Sequence, residues 1–132
     1  VTLLRRVLYL DALLNAVLAV GLIVLPRFVL VDLFDQPVYV DYTFVRVFGL
    51  AALALALLEV LVGHRVEELW WWCWVFVLFE AGRAAILTLH VVFGLPEAAG
   101  AFMWWLGAGT RWAVAVGLVL GIGRAGSEAS PR

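Results

Sequence analysis

Lysine is absent from the 132 residues, cysteine occurs once and serine only twice, and each shortage removes a class of function. Nine arginines against ten acids give a net charge of −1. That leaves no basic surplus to neutralise phosphates or to track a nucleic acid, so nucleic-acid binding is set aside. The lone Cys73 cannot close an internal disulfide and has no CxxC or Cys/His spacing around it. It reads as a small apolar residue facing lipid or a neighbouring helix. Ser127 and Ser130 both lie near the C-terminal end, and no GxSxG elbow occurs, which argues against nucleophilic hydrolysis. The glycines near 107–109 and 121–126 match no phosphate-cradling fingerprint. His64 and His90 each lack a second His or Cys at ligand spacing, so the expectation is no metal site and no catalytic residue.

What the chain has in excess is apolar surface. Apolar residues make up 66% of it and the mean hydropathy is +1.07, far above soluble domains, which sit near half apolar. Four stretches approach the roughly 20 residues a helix needs to cross about 30 Å of hydrocarbon: about 3–25, 43–62, 70–94 and 101–122. The first is too long for a signal-peptide core and lacks a cleavage site. "LRRVLYL" also lacks the surroundings of a twin-arginine signal. The fold class expected is therefore all-α, an integral membrane four-helix bundle occupying 1–124 as a single domain, followed by a polar mobile tail at 125–132.

Between the first two spans, Pro26 is placed to open a helix and Pro37 to end one. Arg27, Asp32, Asp35 and Gln36 alternate with apolar residues at helical spacing, which predicts a short amphipathic helix over about 27–36 in the headgroup plane. The other links, 63–69 and 94–100, are short and force antiparallel neighbours. Arg5, Arg6, Arg65, Arg124 and Arg132 fall on one side of such a chain and Arg27 alone on the other, so the positive-inside rule puts both termini in the cytoplasm. The Ala/Gly/Val/Arg bias without lysine points to a high-GC prokaryotic genome, and Val1 fits a GTG start. Trp70, Trp71, Trp72 and Trp74 open the third span, and Trp104 and Trp105 the fourth, where indoles settle in an interface belt. Stacking on a pigment or quinone is the alternative for them.

The apolar stretch 70–94 is interrupted by Glu80 and Arg83, three apart and so on one helix face. At 1.5 Å per residue, Asp11 lies ~12 Å above the cytoplasmic face, Glu80 and Arg111 ~15 Å, and Arg83 ~20 Å. Arg46 lies at roughly 25 Å and Glu59 at about 6 Å, where either reaches an interface by snorkelling. The middle four cannot, and each would cost about 2.5–3.5 kcal/mol unpaired. The expectation is a network of Asp11 with Arg111 and Glu80 with Arg83 or Arg111, with Asn15 supplying a further hydrogen bond. Two acids and two arginines balance, which favours a structural staple. The alternative is a polar, proton-responsive pocket. On the fourth span Gly109, Ala113, Gly117 and Gly121 recur every four residues, a small-residue stripe that seats either a neighbouring helix or a second subunit. His90 reads as a polar interface residue. If a tetrapyrrole is bound, it is the only in-membrane histidine available as an axial ligand.

Two segments, "LNAVLAVGLIVLPRFVLVDLF" (14–34) and "VRVFGLAALALALLEVLVGHR" (45–65), place an apolar span closing on Pro-Arg and an amphipathic connector ahead of a second span. The pattern resembles the DoxX-like small four-helix bacterial membrane proteins and covers about the first half of the chain. The resemblance implies the four-helix topology and, for some relatives, association with quinone-linked or redox membrane assemblies. It implies no site residue. Function is expected to be that of a non-enzymatic accessory or assembly subunit of a larger membrane complex, partnered by lipid and by other membrane subunits or copies of itself. No cofactor is required by the sequence. A binder or transporter of an anionic or quinone-like molecule is the alternative, and an enzyme acting on lipid or isoprenoid a third.

Overall fold

In hydrocarbon every backbone N–H and C=O must find its partner within its own segment, so each long apolar run forms a helix. The computed structural model describes residues 1–94 and 100–129. Helix α1 spans Thr2–Val24, α2 Thr43–His64, α4 Trp74–Phe93 and α5 Phe102–Ala129. A single turn, α3 (Val66–Leu69), and a 3-10 turn (Trp70–Cys73) lead into α4, so the third apolar helix runs from Val66 to Phe93. With mean hydropathies from 1.4 to 2.3, the four are long and apolar enough to cross a membrane. The chain is thus an all-α, multi-pass membrane protein, with no strand among the described residues.

Pro26 sets the first boundary. The residue before a proline is pushed out of the α region, and Leu25 sits at φ −128°, ψ 55°, ending α1. Pro26 and Arg27 begin a new turn that widens into a π-helix over Phe28–Leu33, within the range expected for the connector helix. It closes on Asp35, whose φ of 53° lets the Gln36 N–H donate to the Leu30 carbonyl at 2.8 Å. Aspartate tolerates this left-handed conformation better than most side chains.

The inner pair of helices is α1 and α5: α1 packs on α2 and on α5, and α5 on α1 and α4. The α2–α4 edge is the loosest of the four. Near the face where Val1 pairs with Glu128, Leu4, Leu8, Val62, Val66, Cys73, Phe76, Val114, Leu118 and Ile122 form a buried core drawn from all four spans. Arg5 ties the ends of α1 and α2 there, its Nε donating to the Gly63 carbonyl at 3.0 Å and its guanidinium pairing with Glu67.

Two sequence expectations are corrected. The segment 125–129 is not a polar mobile tail, because α5 continues to Ala129. Ala125 is buried and Gly126 lies against the Trp70 ring, so packing outweighs the polar composition. The last residues, 130–132, and the link residues 95–99 lie outside the described residues. Glu59 does not snorkel. It is fully buried, because the α2 face that packs inward is the one carrying Gly49, Ala52, Ala56, Glu59 and Gly63, at alternating spacings of three and four.

Candidate functional site

Asp11 and Asn15 occupy successive turns of one α1 face, Glu80 and Arg83 successive turns of α4, and Arg111 faces both from α5. All except Arg83 are buried, and the Arg83 side chain is only 15% exposed. One Arg111 nitrogen, Nη1, donates to Asp11 Oδ1 at 3.2 Å, Asn15 Oδ1 at 2.9 Å and Glu80 Oε2 at 3.1 Å. Arg83 donates through Nη2 to Asn15 Oδ1 at 2.7 Å and to Glu80 Oε1. Its guanidinium also lies 4.1 Å from the centre of the Phe79 ring, where the ring's negative face attracts a cation.

Asn15 is the pivot. Its oxygen accepts from both guanidiniums, while its Nδ2 donates to Asp11 Oδ1 at 3.2 Å and to Glu59 Oε1 at 3.0 Å. A primary amide both donates and accepts, which is what a position between cations and carboxylates requires. Through it α2 joins a network that sequence spacing had confined to α1, α4 and α5. Glu59 is the member that sequence reasoning missed. The signal was its place on the small-residue face of α2, which fixes the helix rotation.

With Glu59 included, three carboxylates stand against two guanidiniums. Three polar atoms in the cluster have no partner among the described residues: Asp11 Oδ2, Glu59 Oε2 and Arg83 Nε. Chemically the arrangement joins the four helices and holds one more acid than its cations neutralise. Among the described residues no group of three or more His, Cys, Asp or Glu is placed to hold a metal ion.

The remaining sequence candidates sit elsewhere. Of the stripe on α5, Gly117 meets Val7, and a Cβ on Gly121 would come within 2.9 Å of the Leu4 backbone. A Cβ on Gly109 would meet no neighbouring segment within 4 Å among the described residues, and Ala113 is exposed. The stripe divides because a four-residue repeat drifts by roughly 40° per step on a helix of 3.6 residues per turn. His90 lies beyond the cluster, its ring centre 4.6 Å from that of Trp104. Trp104 in turn meets the Phe34 ring at 5.0 Å and donates from Nε1 to the Phe34 carbonyl at 2.9 Å, fastening the connector to α5. Trp71, Trp72, Trp74 and Trp105 are each about half exposed. Cys73 is buried in the apolar core.

No family model matches the chain, and no curated protein or solved structure shows significant similarity to it.

Proposed function

We propose that this chain is a non-enzymatic accessory or assembly subunit of a larger membrane complex, of the respiratory or photosynthetic kind. The observation that carries the reading is the inward turn of its chemistry. Arg83 Nη2 and Arg111 Nη1 are directed at Asp11, Asn15 and Glu80, while the outer faces of the spans present large apolar side chains. Leu50, Leu57 and Leu61 on α2 and Leu78, Ile86 and Leu89 on α4 are all exposed. A stapled interior with an apolar exterior and short links is suited to packing among other helices, where association depends on van der Waals fit. Between α1 and α2 an apolar groove of about 670 Å³, lined by Ala12, Ala16, Ala54 and Ala56 among others, adds close-approach surface.

The proposal puts the protein in a prokaryotic cytoplasmic membrane with both ends inside, on the strength of its arginine distribution. The resemblance of 14–34 and 45–65 to DoxX-like proteins agrees with a role beside redox assemblies. Native mass spectrometry after mild solubilisation tests it. The expected result is the chain in fixed stoichiometry with other membrane subunits. Recovery only as a free monomer overturns the reading and leaves that of a small-molecule binder or transporter.

A further inference from the structure

We infer that Asp11 and Glu59 hold a single proton between them, which makes the α1–α2 seam a proton-binding site inside the membrane. The inference is independent of whether the chain joins an assembly. It starts from charge. Asp11, Glu59 and Glu80 exceed Arg83 and Arg111 by one negative unit, and an isolated charge at such depth is expensive enough that one compensating cation is required. The position of the orphan atoms says where it goes. Glu80 has a guanidinium on each oxygen. Among the described residues Asp11 has Arg111 on Oδ1 only, and Glu59 pairs with no guanidinium, its Oε1 accepting from the Asn15 amide.

The two unpartnered carboxyl oxygens, Asp11 Oδ2 and Glu59 Oε2, are both buried and belong to groups that share the same Asn15 nitrogen. One proton converts one carboxylate to an acid whose O–H donates to the other carboxylate. It thereby satisfies both orphan oxygens and cancels the surplus charge. Two carboxyl groups sharing one proton is a known outcome where like charges are held together. No metal-ligand group competes for the position among the described residues.

The charged and titratable groups near the pair are Glu80 and Arg83 on α4, Arg111 on α5 and, on the core side of Glu59, the buried Cys73 thiol of the turn that precedes α4, with the Asn15 amide between them. Glu59 precedes the exposed His64 by five residues, about 7.5 Å of helix. The Tyr9 hydroxyl meets His64 Nδ1 at 3.2 Å beside Gly63, whose missing side chain leaves room for the Tyr9 ring. Occupancy acts on α2 because Glu59 is the α2 side chain that joins the network. With the proton removed, two anions face each other across the α1–α2 contact.

Infrared spectroscopy of the full chain in lipid tests this. At neutral pH the intact protein is expected to show the C=O stretch of one protonated carboxyl per chain, shifting in D2O. The band should vanish in Glu59→Gln and in Asp11→Asn, since each removes the surplus charge while nearly keeping shape. A neutral-pH spectrum without that band overturns the proposal, as does a band that survives both substitutions. A band that appears only when sodium is withdrawn also overturns it, by showing a monovalent cation in the proton's place. The spectrum of the intact chain decides the matter even where a variant fails to insert.

Discussion

The ionic layer divides the bundle into two unlike halves. Toward the face where Val1 pairs with Glu128, the core is built mainly on large buried side chains, Leu4, Leu8, Val62, Val66, Phe76, Leu118 and Ile122, with Cys73, Ala115 and Ala125 between them. Toward the other face they are mostly small: Ala19, Ala52, Ala84, Ala108 and Gly49, with Leu22 the principal exception. There α1 and α2 approach closely, and a Cβ on Gly49 would come within 3.1 Å of the Ala19 carbonyl oxygen. Beyond the ionic layer, α4 buries only Ala84 and α5 only Ala108. One half is held by interdigitated bulk, the other by backbone proximity and the aromatic contacts of Phe34, His90 and Trp104. The difference teaches that the ionic layer is a junction, since it binds α4 and α5 to α1 just where the apolar core ends.

Breaking that junction should therefore produce the largest effect. Arg111→Leu leaves three acids against one guanidinium, and truncating one partner of a buried ion pair typically costs about 3–5 kcal/mol. Equilibrium unfolding in mixed micelles would measure it. Adding Asp11→Leu to Arg111→Leu removes an uncompensated charge, so the double variant should lose less than the single one. If the two losses instead add, Asp11 and Arg111 are not coupled and the junction is misassigned.

A glycine pair on α5 sharpens the contrast between the halves. Gly121 lies in the packed half against Leu4, where a methyl group would be within 2.9 Å of the Cα and 3.0 Å of the Cβ. The neighbouring backbone must then move, and overpacking of this kind costs about 1–3 kcal/mol. A methyl group on Gly109, in the open half, would meet no neighbouring segment within 4 Å among the described residues, and alanine is the better helix former. Gly121→Ala should lower the unfolding midpoint while Gly109→Ala leaves it unchanged or slightly raised. Equal losses at both positions would mean that the far half of α5 is as tightly packed as the near half.

How much of this was legible from the residues follows the same division. The four helices were readable because apolar length alone decides them, and Glu80 with Arg83 stood out because charge in hydrocarbon demands a partner. Axial height was readable too, but rotation was not. Glu59 was placed by its distance from the interface, whereas the small residues at 49, 52, 56 and 63 turn it inward and supply the third carboxylate. The stripe on α5 divides, Gly117 and Gly121 meeting α1 and Gly109 and Ala113 turning away, because a four-residue repeat leaves one face within a few turns. At 125–129 the composition suggested a tail, whereas the packing of this segment is against residues far away in sequence, Trp70 beside Gly126 and Val1 paired with Glu128.

The smallest expected effect lies at the start of α2, in the loosely packed half. Asp41 Oδ1 accepts from the Thr43 hydroxyl at 2.7 Å and the Thr43 backbone N–H at 2.9 Å, taking up one of the donors that a helix start leaves without partners. The Thr43 hydroxyl first, and then its N–H, hold the Asp41 carboxyl below its ordinary value. A carboxyl lowered by folding stabilises above its ordinary value, and the contribution disappears as pH falls through the lowered one. Asp41→Ala should therefore speed hydrogen exchange at the first turn of α2 near neutral pH, and the difference from the intact chain should close on acidification. Exchange deep in the bundle, at the ionic layer and in the core beneath it, should not change. If it does, the first turn of α2 is coupled to the junction, and the two halves are a single cooperative unit after all.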